Sequence, residues 1–321
     1  MPAVLTHDFF GRSVCEDVSD LLSFKRLAEK DAFLLGNQGP DPLFYLVVDP
    51  LMGKWKPLGN VMHDARPARL MLAMREAADR LEGREAQIAR AYVAGFSCHW
   101  LLDSTVHPFV YFWQYGLTEA GVEGLDKSAS QKVHAEIERD FDEAVLYSRT
   151  GMTVAQYRPY EECLKASPEV LSAIDKLYFY VSLWTYGRAI DPRTFSTAVH
   201  EFRLVQRAFY SAGPKKRQLV GSIERLATGS QYSLYAAMSH RARKEGTSDF
   251  DNREHKPWEN PFTHEVATTS FEDLFSAAQL RVLPTIDALV NCEFDKATAI
   301  ELTQNINFEG SFAAEDGPFT W

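Results

Sequence analysis

Apolar residues recur every three to four positions along most of this chain, and alternating apolar and polar runs are nearly absent. The first spacing places apolar side chains on one face of a helix, whereas alternation is typical of a half-buried strand. The pattern predicts helices over residues 21–35, 67–81, 84–106, 128–148, 167–184, 193–211, 215–228, 230–244 and 270–291. The sequence therefore predicts an all-α fold.

Several helix ends are indicated by single residues. Ser19 is a candidate N-cap for the first predicted helix, and Gly36 stands where that helix would end. Pro67 lies in the first turn of the next helix, where proline is tolerated. Pro108 disfavours helical backbone at the residue before it. We therefore predict that the helix over 84–106 ends near His107.

Turn-rich segments separate these helices without dividing the chain into domains. Segments 36–45 and 48–66 are rich in glycine and proline, and a polar break covers 245–261. No internal repeat, low-complexity tract or linker interrupts the pattern. We predict one multi-helical domain over residues 1–321, in which 246–321 form a loop, the last long helix and an extended tail that begins at Phe308.

Composition narrows the function classes. The 321 residues are 45% hydrophobic and 24% charged, as in an ordinary globular protein with a full core. A net charge of −10 argues against sequence-independent nucleic-acid binding through a basic surface. Residues 91–113 are apolar enough to suggest a membrane span, but they include a carboxylate and two histidines, which are costly in lipid. We predict a buried helix there and no transmembrane segment.

The cysteines and the N-terminus indicate the compartment. The four cysteines are scattered and form no CxxC pair, which favours reduced thiols over a disulfide framework. The first residues lack a basic region followed by an apolar run and a cleavage site. The sequence therefore predicts a cytoplasmic protein without a signal peptide.

Candidate chemistry is concentrated in two motifs. One is His99-xxx-Asp103-xxx-His107, and the other is His134-xxx-Glu138. Residues four apart share one face of a helix, so the members of each motif point the same way. Imidazole nitrogens and carboxylate oxygens are ligands that zinc prefers. Two helices carrying these motifs could close around metal, with Asp103 able to bridge two ions.

Asp103 is the member that most needs a partner. It follows an apolar run, and no lysine or arginine occurs between Arg90 and Lys127. A carboxylate in apolar surroundings requires a cation or a metal, and a local ion pair is excluded. The ordinary alternative is an aspartate at a helix end beside a buried histidine.

The second motif lies in a segment full of charge, where a solvated helix face is the ordinary explanation. However, Ile137, Phe141 and Ala144 form an apolar stripe at helical spacing. His134 and Glu138 flank that stripe, so we predict that both face inward.

Three further residues are candidate ligands. Asp41 lies in a Gly-Pro-Asp-Pro turn, His63 precedes a predicted helix, and His7 lies in an apolar N-terminal segment. Each has an ordinary explanation on its own: a turn aspartate, a loop histidine and a core histidine.

Taken together, these residues resemble the zinc-dependent phospholipase C family, which is related in fold to single-strand-specific zinc nucleases. The resemblance rests on an N-terminal histidine, a GPDP loop, a histidine before a helix, HxxxDxxxH and HxxxE. It covers residues 1 to about 140 by motif and the helical remainder loosely. It implies one helical domain around a multinuclear metal site.

The resemblance also implies ligand sets. One zinc ion would be held by Asp41, His63, His99 and Asp103, and a second by His107, His134 and Glu138. A third would be held by His7, Asp103 and the terminal amine. Secreted members use an N-terminal tryptophan where this chain begins Met1-Pro2. Two zinc ions are therefore expected, with a third as a candidate.

The implied activity is that of a zinc-dependent phosphodiesterase, in which zinc-bound hydroxide attacks a small phosphodiester or phospholipid-type substrate. Asp41 is the candidate to orient or deprotonate the water. Three alternatives stay open: a nuclease or nucleotidase on the same scaffold, a helical phosphohydrolase using the His63-Asp64 doublet, and a non-catalytic protein whose metals are structural. No stable nucleic-acid binding is expected, and the oligomeric state stays open.

Overall fold

The fold is dominated by helices. A computed structural model describes residues 3–122, 125–211, 213–229, 232–290 and 293–321. Helices, the short 3-10 helices included, make up 67% of the described residues. Within the described residues the strands form one antiparallel hairpin, in which Trp258–Glu259 (β1) pairs with Val266–Ala267 (β2). The prediction of an all-α fold is confirmed.

The described α-helices are α1 (Val4–Leu21), α2 (Leu27–Gly36), α3 (Pro57–Asp64), α4 (Pro67–Asp79), α5 (Gly83–Thr118), α6 (Ser130–Thr150), α7 (Val154–Tyr157), α8 (Pro159–Glu162), α9 (Pro168–Tyr186), α10 (Thr194–Phe209), α11 (Pro214–Thr228), α12 (Leu234–Met238), α13 (Phe271–Val290) and α14 (Lys296–Thr303). Short 3-10 helices cover Asp41–Tyr45, Gly53–Trp55 and Lys127–Ala129.

The chain divides into two compact helical units, each built from three separate segments. The first unit comprises Met1–Phe9, Val106–Cys163 and Gln206–Phe275. The second comprises Phe10–Thr105, Leu164–Val205 and Ser276–Trp321. Four helices (α1, α5, α10 and α13) contribute residues to both units. A single domain over the whole chain stays a prediction.

The predicted end of the helix near His107 is wrong, because α5 continues through Pro108 to Thr118. Proline in a helix interior removes one backbone hydrogen bond and costs about 3 kcal/mol. The aromatic residues that follow outweigh this cost. Phe109 is fully buried, with its ring centroid 5.0 Å from that of Trp258. Tertiary packing of an apolar face therefore keeps the helix intact beyond the proline.

The N-terminal helices also differ from the prediction. A helix from residue 21 was expected, but α1 already occupies Val4–Leu21 and α2 begins at Leu27. Ser19 is not an N-cap, since it lies inside α1 and donates its hydroxyl to the carbonyl of Cys15. The Glu29 carboxylate instead accepts from backbone amides at the start of α2. The predicted end at Gly36 is confirmed.

Further along the chain, the predicted helix over 230–244 is much shorter. Only α12 forms there, and the predicted start at Ser230 lies outside the described residues. Arg241 pairs with Glu143 at 2.9 Å, and Arg243 pairs with Asp140 at 2.6 Å. These ion pairs with α6 hold residues 241–243 in a tight turn, in which the amide of Arg243 donates to the carbonyl of Arg241 at 2.9 Å, instead of a further helical turn.

Residues 304–321 form a packed strap along the second unit, where an extended tail was predicted. The indole of Trp100 donates to the carbonyl of Ile306 at 2.9 Å, and the Asn307 amide donates to the carbonyl of Asp64 at 3.2 Å. Phe308 is fully buried, and its backbone amide donates to the carbonyl of His63 at 3.1 Å. The strap therefore holds the end of α3 in place. The segment also follows α14, a helix that the sequence pattern did not predict.

Close backbone contact sets the position of the loop after α2. A Cβ on Gly95 of α5 would lie 2.0 Å from the carbonyl oxygen of Phe33, and one on Gly36 would lie 2.3 Å from that of Tyr92. Only glycine allows the two helices to approach this closely. Gly39 has a φ of +50°, and a Cβ there would overlap the ring of His99. These glycines let the loop lie directly against α5.

Candidate metal centre

The second unit contains a cluster of four candidate ligands, which we call the four-residue cluster: Asp41, His63, His99 and Asp103. Asp41 begins a 3-10 helix, His63 lies near the end of α3, and the other two occupy successive turns of α5. All four are buried, with 0–8% of their surface exposed. The structure thus brings together the four residues that the family resemblance assigns to one ion.

The ligand atoms in this cluster are spaced as a metal would require. His63 Nε2 lies 3.1 Å from Asp41 Oδ1, and His99 Nε2 lies 3.1 Å from Asp103 Oδ2. The two cross distances are 3.9 and 4.0 Å. Tetrahedral zinc with bonds of 2.0–2.1 Å separates its ligand atoms by about 3.4 Å. The observed separations bracket this value.

Backbone carbonyls determine which histidine nitrogen faces the cluster. His63 Nδ1 donates to the carbonyl of Gly59 at 2.7 Å, and His99 Nδ1 donates to that of Asn37 at 3.1 Å. Each Nε2 is thereby directed towards the carboxylates. Metal-ligating histidines almost always make such a bond with the second ring nitrogen, because it fixes the tautomer and the ring orientation.

Electrostatics at this cluster favour the ionised form of the Asp41 carboxylate. Burial by itself raises the pKa of Asp41, but the hydrogen bond with His63 and the charge of His99 outweigh it, so this pKa lies below its ordinary value. Burial lowers the pKa of His63, yet the hydrogen bond with Asp41 and the charges of Asp41 and Asp103 raise it overall. The cluster therefore attracts positive charge, which a proton or a metal ion can supply.

Aromatic rings cover the four-residue cluster. The ring centroid of Phe308 lies 5.1 Å from that of His63 and 5.6 Å from that of His99, and Phe44 lies 5.0 Å from His63. They pack against both imidazoles and strengthen the local electrostatics by excluding water. The role of Phe308 was not predicted, because an extended tail was expected from this residue onward. The available signal was the presence of four aromatic residues in 308–321, since an exposed tail does not require them.

The first unit contains the three-residue cluster: His107 on α5, and His134 and Glu138 on successive turns of α6. Glu138 Oε1 lies 3.3 Å from Nε2 of both histidines. Glu138 is buried, whereas the histidine side chains are 13% and 17% exposed. This cluster has three ligands and a partly open side, in contrast to the closed four-residue cluster.

Gln114 orients the three-residue cluster, and the sequence analysis did not consider it. His134 Nδ1 donates to Gln114 Oε1 at 2.8 Å, which directs Nε2 towards Glu138. Because α5 does not end near His107, Gln114 lies on the same helix two turns further on. The incorrect helix end is the reason why this residue was overlooked.

The carboxylate of Glu138 is also held ionised. Burial alone raises its pKa, but nearby positive charge, including that of His134, and the hydrogen bonds with both histidines hold it well below the usual range. An ionised, buried carboxylate between two imidazoles is a suitable anionic ligand for a divalent cation.

The charged residues of α6 do not form a solvated face. Arg139, Asp140, Asp142 and Glu143 are all buried, along with Glu138. The buried carboxylates of α6 take partners from distant segments, as the ion pairs of Arg241 and Arg243 show. Arg139 pairs with Glu136 inside the helix and also donates to the distant carbonyl of Ala236. A sequence pattern could not have revealed these distant partners. The apolar stripe of Ile137, Phe141 and Ala144 is buried as expected.

Asp142 links α6 to the start of α1, which carries His7. Its carboxylate accepts from the backbone amides of Leu5 and Thr6 at 3.1 and 2.7 Å, and from His240 Nε2 at 2.9 Å. His7 itself is buried in the first unit. The terminal amine of the third ligand set lies outside the described residues, so that set stays a prediction.

Comparisons with models of known families, with curated proteins and with solved structures gave no match. Among the described helices, none combines the length and the apolar character that crossing a bilayer requires. The described residues include groups of buried or partly buried histidine and acidic side chains that lie close enough together to hold metal ions.

Proposed function

We propose that this protein is a metal-dependent phosphoric ester hydrolase, similar to the phospholipases C, that binds zinc and acts on a phosphodiester. The observation that carries the proposal is the geometry of the four-residue cluster. Its histidine Nε2 atoms and carboxylate oxygens converge at 3.1–4.0 Å, while backbone carbonyls occupy the Nδ1 atoms. A buried ion pair needs only one such contact, whereas a metal shell needs all of them.

The donor chemistry supports zinc for both clusters. All the donors are imidazole nitrogens or carboxylate oxygens, which suit zinc better than the all-oxygen shells of calcium or magnesium. Two histidines and one glutamate form a donor set typical of catalytic zinc sites that keep one position open. The three-residue cluster has this composition and partly exposed histidines.

When bound, zinc lowers the pKa of a coordinated water to about 7 and neutralises charge on phosphate oxygens. The residues of the chain supply the rest. Asp41, ionised by its neighbours, is able to accept a proton from water or to orient it. His63 and His99 are held in one tautomer, so they contribute without reorganisation. Phe44 and Phe308 pack against the imidazole rings and exclude bulk water there.

A non-catalytic role for the metals is the second candidate, and one observation favours it. The four-residue cluster provides a complete shell of four protein ligands, and its side chains are at most 10% exposed. Closed shells of four protein ligands are typical of structural zinc sites. In that case the four-residue cluster would stabilise the second unit only.

The deciding experiment measures zinc content and hydrolysis on the same preparations. The substrates are a short-chain phosphatidylcholine, a dinucleotide and a phosphomonoester, and the variant is His99→Ala. His200→Ala is the matched control, because His200 is exposed on α10. We expect the wild type and the control to bind zinc and hydrolyse the phospholipid diester. His99→Ala should lose zinc and at least about 100-fold in rate, the size of loss typical when one preorganised group of an active site is removed.

Each other outcome has a definite meaning. Zinc binding without hydrolysis of any substrate would establish the structural role. Hydrolysis of the dinucleotide alone would favour a nuclease. Equal rates for wild type and His99→Ala would refute the metal-dependent mechanism. Asp41→Asn separates the two roles of that residue. If Asp41 acts only as a base, the variant should lose activity and keep its zinc. If Asp41 is a metal ligand, the variant should lose zinc as well.

A further inference from the structure

Helix α11 presents an apolar stripe to solvent. Leu219, Ile223 and Leu226 are 64%, 57% and 86% exposed. Spacings of four and three residues place the three side chains on one face, within about 60° of arc around the helix axis. We call this face the α11 stripe. Single exposed leucines are common on protein surfaces, but three aligned on one helix form a contiguous patch, and such patches mark interaction sites.

The opposite face of α11 fixes how the stripe is presented. The Glu224 carboxylate accepts from the backbone amides of Leu234 and Tyr235 at 3.0 Å each, which caps the start of α12. Arg217 Nε donates to the carbonyl of Ala236 at 2.9 Å. Gly221, which lies between Arg217 and Glu224 along α11, is buried. These contacts anchor α11 through the side that bears Arg217, Gly221 and Glu224. The stripe is therefore held outward by defined bonds.

The charge of α11 is opposite to that of the whole chain. The helix carries four basic residues and one acidic residue, whereas the chain has a net charge of −10. Glu224 is engaged with α12, and Lys216 and Arg217 donate to backbone carbonyls of other segments. Lys215 lies one turn before Leu219, on the same face as the stripe, and it is exposed. An apolar stripe with basic flanks is the pattern of a helix that lies in a membrane interface.

We propose that α11 is a docking surface for an anionic lipid bilayer. The α11 stripe enters the boundary between headgroups and acyl chains, while Lys215 at the end of the stripe pairs with lipid phosphates. A second copy of the chain fits this surface less well, since a two-fold contact would place two basic helices against each other. The proposal depends on the surface of α11 alone and not on metal binding or hydrolysis.

Co-sedimentation of the full chain with vesicles tests the proposal. One set of vesicles contains phosphatidylglycerol and phosphatidylcholine, and the other contains phosphatidylcholine alone. We expect binding to the mixed vesicles, weaker binding to the neutral ones, and a decrease at high salt because screening weakens the charge contacts. The double variant Leu219→Ser, Leu226→Ser should bind the mixed vesicles with a partition coefficient that is lower by on the order of 100-fold. Each lost leucine contributes about tenfold to this decrease.

Leu280→Ser is the matched control, because Leu280 is 82% exposed on α13 and lies outside the stripe. It should leave binding unchanged, while Lys215→Glu should weaken binding to the anionic vesicles only. Equal binding by the stripe variant and the wild type, or no binding to either set of vesicles, would overturn the proposal. A concentration-dependent dimer that the stripe variant dissociates would overturn it too, in favour of a second copy.

Discussion

The sharpest prediction concerns Gln114, whose amide oxygen accepts from His134 Nδ1 at 2.8 Å. Gln114→Leu keeps most of the side-chain volume and removes this acceptor. Gln114 is 7% exposed, so the substitution also places an apolar group where the surroundings are already mostly dry. The His134 ring then loses the bond that directs Nε2 towards Glu138, and the zinc site proposed there becomes less well organised.

The expected loss of zinc affinity follows from the effect of hydrogen-bond partners of ligating histidines in other metalloproteins. Loss of a hydrogen bond to a ligating histidine typically weakens metal affinity by about 10–100-fold, equivalent to about 1.4–2.7 kcal/mol. Gln114 contacts the three-residue cluster, whereas the histidines of the four-residue cluster bond to the carbonyls of Asn37 and Gly59. Only the three-residue cluster should therefore lose affinity.

Zinc titration against a chromophoric chelator measures the effect on the full chain. His63→Ala and His107→Ala assign each binding phase to its cluster. Gln131→Leu, an exposed position on α6, serves as the control and should change neither phase. If Gln114→Leu leaves the phase removed by His107→Ala unaltered, or weakens both phases equally, then the assignment of Gln114 as the orienting residue is incorrect.

The other predictions concern stability. Chelation of zinc should lower Tm by about 4 °C for each site that is filled at a hundredfold excess of zinc over Kd. Such binding stabilises the folded state by about 2.7 kcal/mol, and the unfolding entropy is about 2.1 cal/mol/K per residue over 321 residues. An unchanged calorimetric Tm would contradict zinc occupancy. Phe308→Ala should lower the free energy of unfolding in urea by about 3–5 kcal/mol, since Phe308 is fully buried. Phe312→Ala, at a residue that is 70% exposed, should lower it by under about 0.5 kcal/mol. Equal losses would show that the strap is not packed as described. Pro108→Ala should stabilise the protein by about 2 kcal/mol by restoring a helical amide within α5, and a loss of stability would show that the fold requires the proline.

The local parts of the candidate centre could be predicted from spacing alone. His99 with Asp103, and His134 with Glu138, are each four residues apart, and any α-helix places such pairs side by side. In the structure both pairs approach within 3.3 Å. The helical periodicity of the chain also sufficed for the fold class and for most helix positions.

Two of the errors have a common cause, because contacts between distant segments decide the structure at both places. Pro108 does not end α5, because aromatic side chains beyond it pack against residues more than a hundred positions away. Residues 241–243 do not continue a helix, because Arg241 and Arg243 pair with α6. A local propensity of a few kcal/mol is readily outweighed by such packing and ion pairs.

Two levels of organisation can therefore be separated in this protein. The sequence by itself determined the helical fold class and the pairing of ligands one turn apart, since both follow from the geometry of 3.6 residues per turn. Only the tertiary structure decided that Asp41 and His63 meet His99, that Gln114 orients His134, and that Phe308 covers the four-residue cluster. The widest of these contacts joins residues more than two hundred positions apart. The free energy of the contacts comes from burial and close packing, and no short window of sequence encodes these properties.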